Sequence, residues 1–101
     1  MPIGDFINQI PPAGFLAIHA VLFLVGAFFA SRAFGAGQSG LGWAFVLFAL
    51  AEVSYMTYHL DWTTFLFAHT ISEVLDGLAF IVVFVNAVQR VMRPEPALRS
   101  S

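Results

Sequence analysis

Three long apolar runs, roughly Ala13 to Phe34, Leu41 to Leu60 and Trp62 to Met92, leave this 101-residue chain few ways to fold. Each supplies the roughly 20 residues with which a helix crosses a ~30 Å hydrocarbon layer. Charged residues make up 10% of the chain, whereas a soluble domain carries about 25%. Polar side chains are therefore too few to cover a soluble globule. The expected fold class is all-α: a single integral membrane domain of three transmembrane helices over 13–34, 41–60 and 62–92, with a short interfacial helix before them.

The punctuation supports that division. Ile3, Phe6, Ile7 and Ile10 recur at helical spacing, with Asp5, Asn8 and Gln9 on the other side. This is the pattern of an interfacial segment over 1–11. Pro11-Pro12 closes it, and proline suits the first turn of the next helix. The run Gly35-Ala36-Gly37-Gln38-Ser39-Gly40 reads as a loop. Trp43 and Trp62 stand where interface aromatics belong, and Tyr55 and Tyr58 read as anchors of the same kind. Asp61 is placed to cap the third helix. The link between helices two and three is so short that they must form an antiparallel hairpin. Pro94 and Pro96 stop the third helix and leave a tail over 93–101.

Arginine sets the expected orientation. The four basic residues are Arg32, Arg90, Arg93 and Arg99. Three crossings put all four on one side, and the positive-inside rule makes that side cytoplasmic. The N-terminus then lies outside, which in a bacterial inner membrane is the periplasm. The start Met1-Pro2-Ile3-Gly4-Asp5 is acidic, unlike the basic opening of a secretory signal, so the segment is expected to be retained. With no cysteine and a net charge of −2, thiolate metal sites, iron–sulfur clusters and c-type haem attachment are excluded. No basic surface points to nucleic acid.

Ionisable residues inside the spans carry the functional signal, because lipid hides no unsatisfied polar group cheaply. At ~1.5 Å per residue, His19, Glu52 and His69 fall ~10–12 Å from the outer boundary on three different helices. Glu73 lies one turn deeper, Asp76 lies past the midplane, and His59 sits at the outer surface. Glu52, Tyr55, Met56 and His59 share one stripe of helix two. Trp62, Leu66, His69, Glu73, Asp76 and Phe80 share one stripe of helix three. An antiparallel hairpin can bring Glu52 opposite His69.

This constellation allows several chemistries. His19, His69, Glu52 and Glu73 are the candidate cofactor contacts, to a haem, a (bacterio)chlorophyll or a quinone packed among the 12 phenylalanines. Imidazoles and carboxylates also suit metals, but the His69-x-x-x-Glu73 spacing is not the Glu-x-x-His of bundle di-iron sites. Glu52, Glu73 and Asp76 are candidates for a proton relay. Pairs such as Glu52–His69 also serve simply to fix helix register. Gly26-x-x-x-Ala30 is a small-residue pair able to seat another helix. Asn86 and Gln89 are expected at the cytoplasmic interface. No phosphate loop, nucleophile elbow or Ser/His/Asp order is present, so no catalytic residue is assigned and the chain is not read as an enzyme by itself.

Three helices cannot enclose this many acids, so other transmembrane subunits are expected to meet them. The leading expectation is a small accessory subunit of a larger bioenergetic membrane complex, respiratory or photosynthetic, packed at its periphery. A homo-oligomeric proton- or ion-conducting protein is the alternative, and a small metal-binding redox protein the third.

Overall fold

The structure, a computed structural model, describes residues 3–92. A 3-10 helix, Asp5–Gln9, precedes three α-helices: α1 Pro12–Gly35, α2 Ser39–His59 and α3 Phe65–Met92. All three are long and apolar enough to cross a membrane. Pro11 is extended and Pro12 opens α1, a position where its missing N–H costs nothing. The tail over 93–101, with Arg93 and Arg99, lies outside the described residues.

Two helix ends close in the same way. The α1 chain turns at Gly37, whose φ is +75°. Gln38 N–H donates to the Ala33 carbonyl at 2.8 Å and Gly37 N–H to the Phe34 carbonyl at 3.1 Å. This is a Schellman motif, with glycine at the left-handed position. At the end of α2 the same pair of bonds recurs. Trp62 N–H donates to the Thr57 carbonyl at 2.9 Å and Asp61 N–H to the Tyr58 carbonyl at 3.0 Å. Asp61, at φ +62°, occupies the left-handed position. It therefore finishes α2 rather than capping the third helix. Trp62, Thr63 and Thr64 stay outside α3, which begins at Phe65, three residues later than the apolar run suggests. The reason is local: once the chain turns left-handed at Asp61, it must extend before a new helix starts.

The helices form one layer with α2 in the middle. Helix α2 packs on both neighbours, and the backbones of α1 and α3 do not approach one another. Both seams are lined by small residues, which let backbones come close where the hydrophobic effect offers no drive. Gly26, Ala30 and Ala33 are the buried residues of α1. A Cβ on Gly26 would stand 2.8 Å from the Phe48 ring and 3.4 Å from the Ala49 Cβ, so this glycine seats α1 against α2 within the chain. A Cβ on Gly42 would likewise meet the Phe34 ring at 2.8 Å. On the other seam, Ala68 and Ser72 are the buried residues of α3. Ser72 Oγ donates to the Ala51 carbonyl at 2.8 Å, and Ser54 Oγ to the Ala68 carbonyl at 3.0 Å. The two serines thus stitch α2 and α3 reciprocally. Asn86 lies against Gly40 at the opposite end of the hairpin, in the first turn of α2.

Candidate functional site

One face of the layer is hollow, with α2 as its floor and α1 and α3 as its walls. The half near the α2–α3 turn is polar and aromatic, and the other half is apolar.

Glu52 is the acid buried in the layer, 5% exposed. Its Oε1 lies 3.2 Å from His19 Nδ1. Either a carboxylate accepts from Nδ1–H or a carboxylic acid donates to bare nitrogen, and both arrangements satisfy the pair inside an apolar layer. Both residues sit about seven residues, ~10 Å, inside the ends of their helices. Their shared depth follows from the antiparallel packing of α1 and α2.

His19 also joins a system of stacked rings. Its ring stacks on Tyr55 at 5.0 Å and on His59 at 5.3 Å. His59 stacks on Phe15 at 5.1 Å and meets Tyr58 edge-on at 4.9 Å. Tyr55 approaches His69 at 6.4 Å, and His69 stacks on Phe65 at 5.2 Å. Tyr58 closes the circle on Phe65 at 5.4 Å. All three histidines of the chain therefore stand in one closed ring of aromatic contacts drawn from three helices. Such offset pairs add to packing beyond the area they bury.

No hydrogen bond or ion pair joins Glu52 to His69 among the described residues: Glu52 bonds His19, and the His69 ring lies against Tyr55 and Phe65. The α2–α3 register, Ala51 on Ser72 and Ser54 on Ala68, keeps the two residues near one level, so they differ in partner and not in depth. Glu73 takes the next turn, where the Tyr55 hydroxyl donates to its Oε1 at 3.5 Å, and is otherwise exposed. Asp76 lies one further turn in and is half-buried. Among the described residues no side chain hydrogen-bonds it, and the one ion pair is His19–Glu52.

Tyr55 is more than a boundary anchor: it links the α1 pair to the α3 acid. Its place in the Glu52 stripe was the sequence signal for this. Ser54, Ser72 and Thr57 escaped sequence reasoning, because hydroxyls in apolar helices carry no charge to single them out. Thr57 Oγ1 donates to the Ser54 carbonyl at 2.6 Å and accepts from Thr63 Oγ1 at 3.0 Å, fixing the turn beneath the histidine ring.

The apolar half is an open groove of ≈370 Å³. Leu41, Ala44, Phe45 and Phe48 of α2 form its floor, Val25, Gly26 and Phe29 one wall, and Asp76, Ala79, Phe80 and Val83 the other. Among the described residues no three of His, Asp and Glu are grouped to hold a metal ion. Among the described residues, His59 and His69 make no side-chain hydrogen bond and His19 bonds through Nδ1 alone, leaving its Nε2 open; all three are half-buried.

Fold and site define the class: an all-helical chain with three helices able to span a membrane and a titratable cluster on one face. No family model matches the chain, and no curated protein or solved structure matches it significantly.

Proposed function

We propose that this chain is a small subunit of a larger membrane assembly, packed at its periphery with its concave face toward other transmembrane helices. One observation carries the reading. Glu73 stands exposed, eight residues inside α3, at a depth where an acid facing lipid costs about 2.5–3.5 kcal/mol on insertion scales. A single layer of helices has nothing left with which to cover it. A neighbouring chain does so at the least cost, by donating a hydrogen bond or a positive charge. The arginine-bearing side faces the cytoplasm, and the host membrane is a bacterial inner membrane.

The bioenergetic assignment, respiratory or photosynthetic, draws its support from the histidine ring. Half-buried imidazoles beside Glu73 suit contact with a haem, a pigment or a quinone held mainly by the partner. The conducting alternative draws on the file His59, His19, Glu52, Tyr55, Glu73, Asp76, which runs from the surface to mid-span. Below Asp76 the face is lined by Phe45, Phe48 and Phe80, so one copy offers no polar path through the second half, and the subunit reading is preferred.

Gentle purification of the tagged full chain from native membranes tests this. Larger membrane subunits at fixed stoichiometry are the expected result, with a visible absorption band where a haem or pigment is shared. A chain that purifies alone and monodisperse, from membranes solubilised under several mild detergents, refutes the subunit reading.

A further inference from the structure

Near the α2–α3 turn, four rings form one column that alternates between two helices. Phe15 of α1 lies on His59 of α2 at 5.1 Å with 5° between the planes, His59 on His19 of α1 at 5.3 Å and 23°, and His19 on Tyr55 of α2 at 5.0 Å and 16°. Phe15 and His19 are about one helical turn apart, as are Tyr55 and His59, so each helix slots its rings between those of the other. The two central rings are imidazoles, which gain a proton between about pH 5 and 8. Glu52 balances one of them: its carboxyl bonds His19 Nδ1 at 3.2 Å and is 5% exposed. One proton shared among Glu52, His19 and His59 therefore leaves the cluster neutral, and a second leaves it positive.

Among the described residues no group answers that second charge. His59 makes no side-chain hydrogen bond, and the remaining ring against it, Tyr58, is neutral. On α3, His69 and Glu73 reach the column only through Tyr55, and Asp76 lies deeper. Asp5 accepts from Asn8 Nδ2 at 2.9 Å, and Asp61 ends α2 without a side-chain bond to His59. Arg32 and Arg90 stand at the opposite ends of α1 and α3. The outer faces of the column, Phe15 and Tyr55, attract a single cation, but the central contact sets two imidazolium ions face to face.

We propose that this column is a proton-sensitive clasp between α1 and α2, closed with one proton and opened by a second. Closing the column around two imidazolium ions brings like charges together and takes His59, which is half-buried, away from water. The open form therefore binds the second proton more tightly than the closed form. By linkage, closure is favoured as pH rises and gives way as pH falls. With one extra proton taken up, the ratio of open to closed grows by up to about tenfold per pH unit. Farther along, α1 is seated through Gly26 against Phe48 and Ala49, contacts without charge, so the response is confined to the column end. The clasp makes the chain responsive to acidity on the membrane side away from Arg32 and Arg90. It goes beyond the subunit reading and uses contacts within this chain alone.

The test uses the full chain in nanodiscs of phosphatidylcholine. The chain has no cysteine, so Ala13→Cys and Leu60→Cys, both at exposed positions, carry the only spin labels, one on each helix. Electron paramagnetic resonance is expected to give one short distance at about pH 8, and a second, longer one that grows below about pH 6. His59→Phe keeps a ring in the stack that takes no proton, and should hold the short distance throughout. Asp5→Asn, Asp61→Asn and Glu73→Gln should leave the transition in place. Nitrogen-15 spectra of the histidines give an independent reading: the closed form is expected to hold at most one imidazolium among His19 and His59. A single distance across the whole pH range, a transition that survives in His59→Phe, or two imidazolium ions in the closed form overturns the proposal. So does a loss of helix content by circular dichroism through the transition, which would mark unfolding. None of these readouts involves partner subunits, so the clasp and the subunit reading fail separately.

Discussion

His19 and Glu52 show how much one hydrogen bond governs when water is absent. The pair joins α1 to α2 at 3.2 Å, and each partner is the other's escape from an unsatisfied polar atom in lipid. The two sides are not equivalent. Without Glu52, the His19 ring still stacks between Tyr55 and His59. Without His19, the Glu52 carboxyl has no second side-chain partner. His19→Ala is therefore expected to destabilise more than Glu52→Gln, and a double-mutant cycle to give a coupling of about 0.6 kcal/mol, with about 1.7 as the upper range for such membrane bonds. Unfolding in mixed micelles, titrated with sodium dodecyl sulfate, measures both; a coupling of zero would contradict the pair. The common depth of His19 and Glu52 was readable from residue counts alone. The choice of His19 over His69 was not, because it depends on how α2 is rotated between its neighbours. The end of α2 at Asp61 was equally hidden, since a left-handed backbone leaves no trace in hydrophobic patterning.

At the scale of helices, the seams do the positioning. The three spans, the first connection and the breakpoints at Pro11-Pro12 and Gly37 follow from apolar length and turn chemistry; the second connection runs on to Thr64, because Asp61 closes α2. What faces what is a matter of small residues, and glycine or serine in an apolar run does not announce its partner. Gly26 is the clearest instance. A methyl group there falls 2.8 Å from the Phe48 ring, closer than side chains tolerate, so α1 or the ring must move. Gly26→Ala is expected to cost about 1–3 kcal/mol, the range for overpacked sites. Phe48→Leu in the same chain should recover part of that loss by vacating the space. Thermal unfolding in one detergent reads both effects; additive losses in the double variant would show that this seam is not where the two residues meet. The hairpin seam is more polar. Ser54 and Ser72 bind each other's helix at backbone carbonyls, which fixes register without a charge.

At the scale of the molecule, the arrangement is open on both sides of α2. A layer in which α1 and α3 never meet exposes most of its surface, and apolar lipid-facing residues such as Phe28, Leu66 and Val74 are suited to that. Glu73 is not. Replacing it with leucine should make the isolated chain easier to insert and to keep monodisperse, while lowering its recovery with partner subunits several-fold. Quantitative mass spectrometry of matched native purifications gives the comparison, and undiminished recovery would mean that partners do not touch this residue. Composition alone pointed to such a need, since three acids in three spans exceed what the chain can shelter. Which acid stays uncovered depended on Tyr55 and on the one-turn offset between Glu73 and Asp76.

The middle helix has a consequence for biogenesis. Among the three, α2 is the least hydropathic and the most enclosed, and it carries the buried Glu52. It is thus the span that the insertion machinery has least reason to release into lipid alone. With His19 already synthesised on α1, the carboxyl can meet its imidazole before either reaches the acyl chains. The first two spans are then expected to leave the translocation channel together, as a preassembled pair.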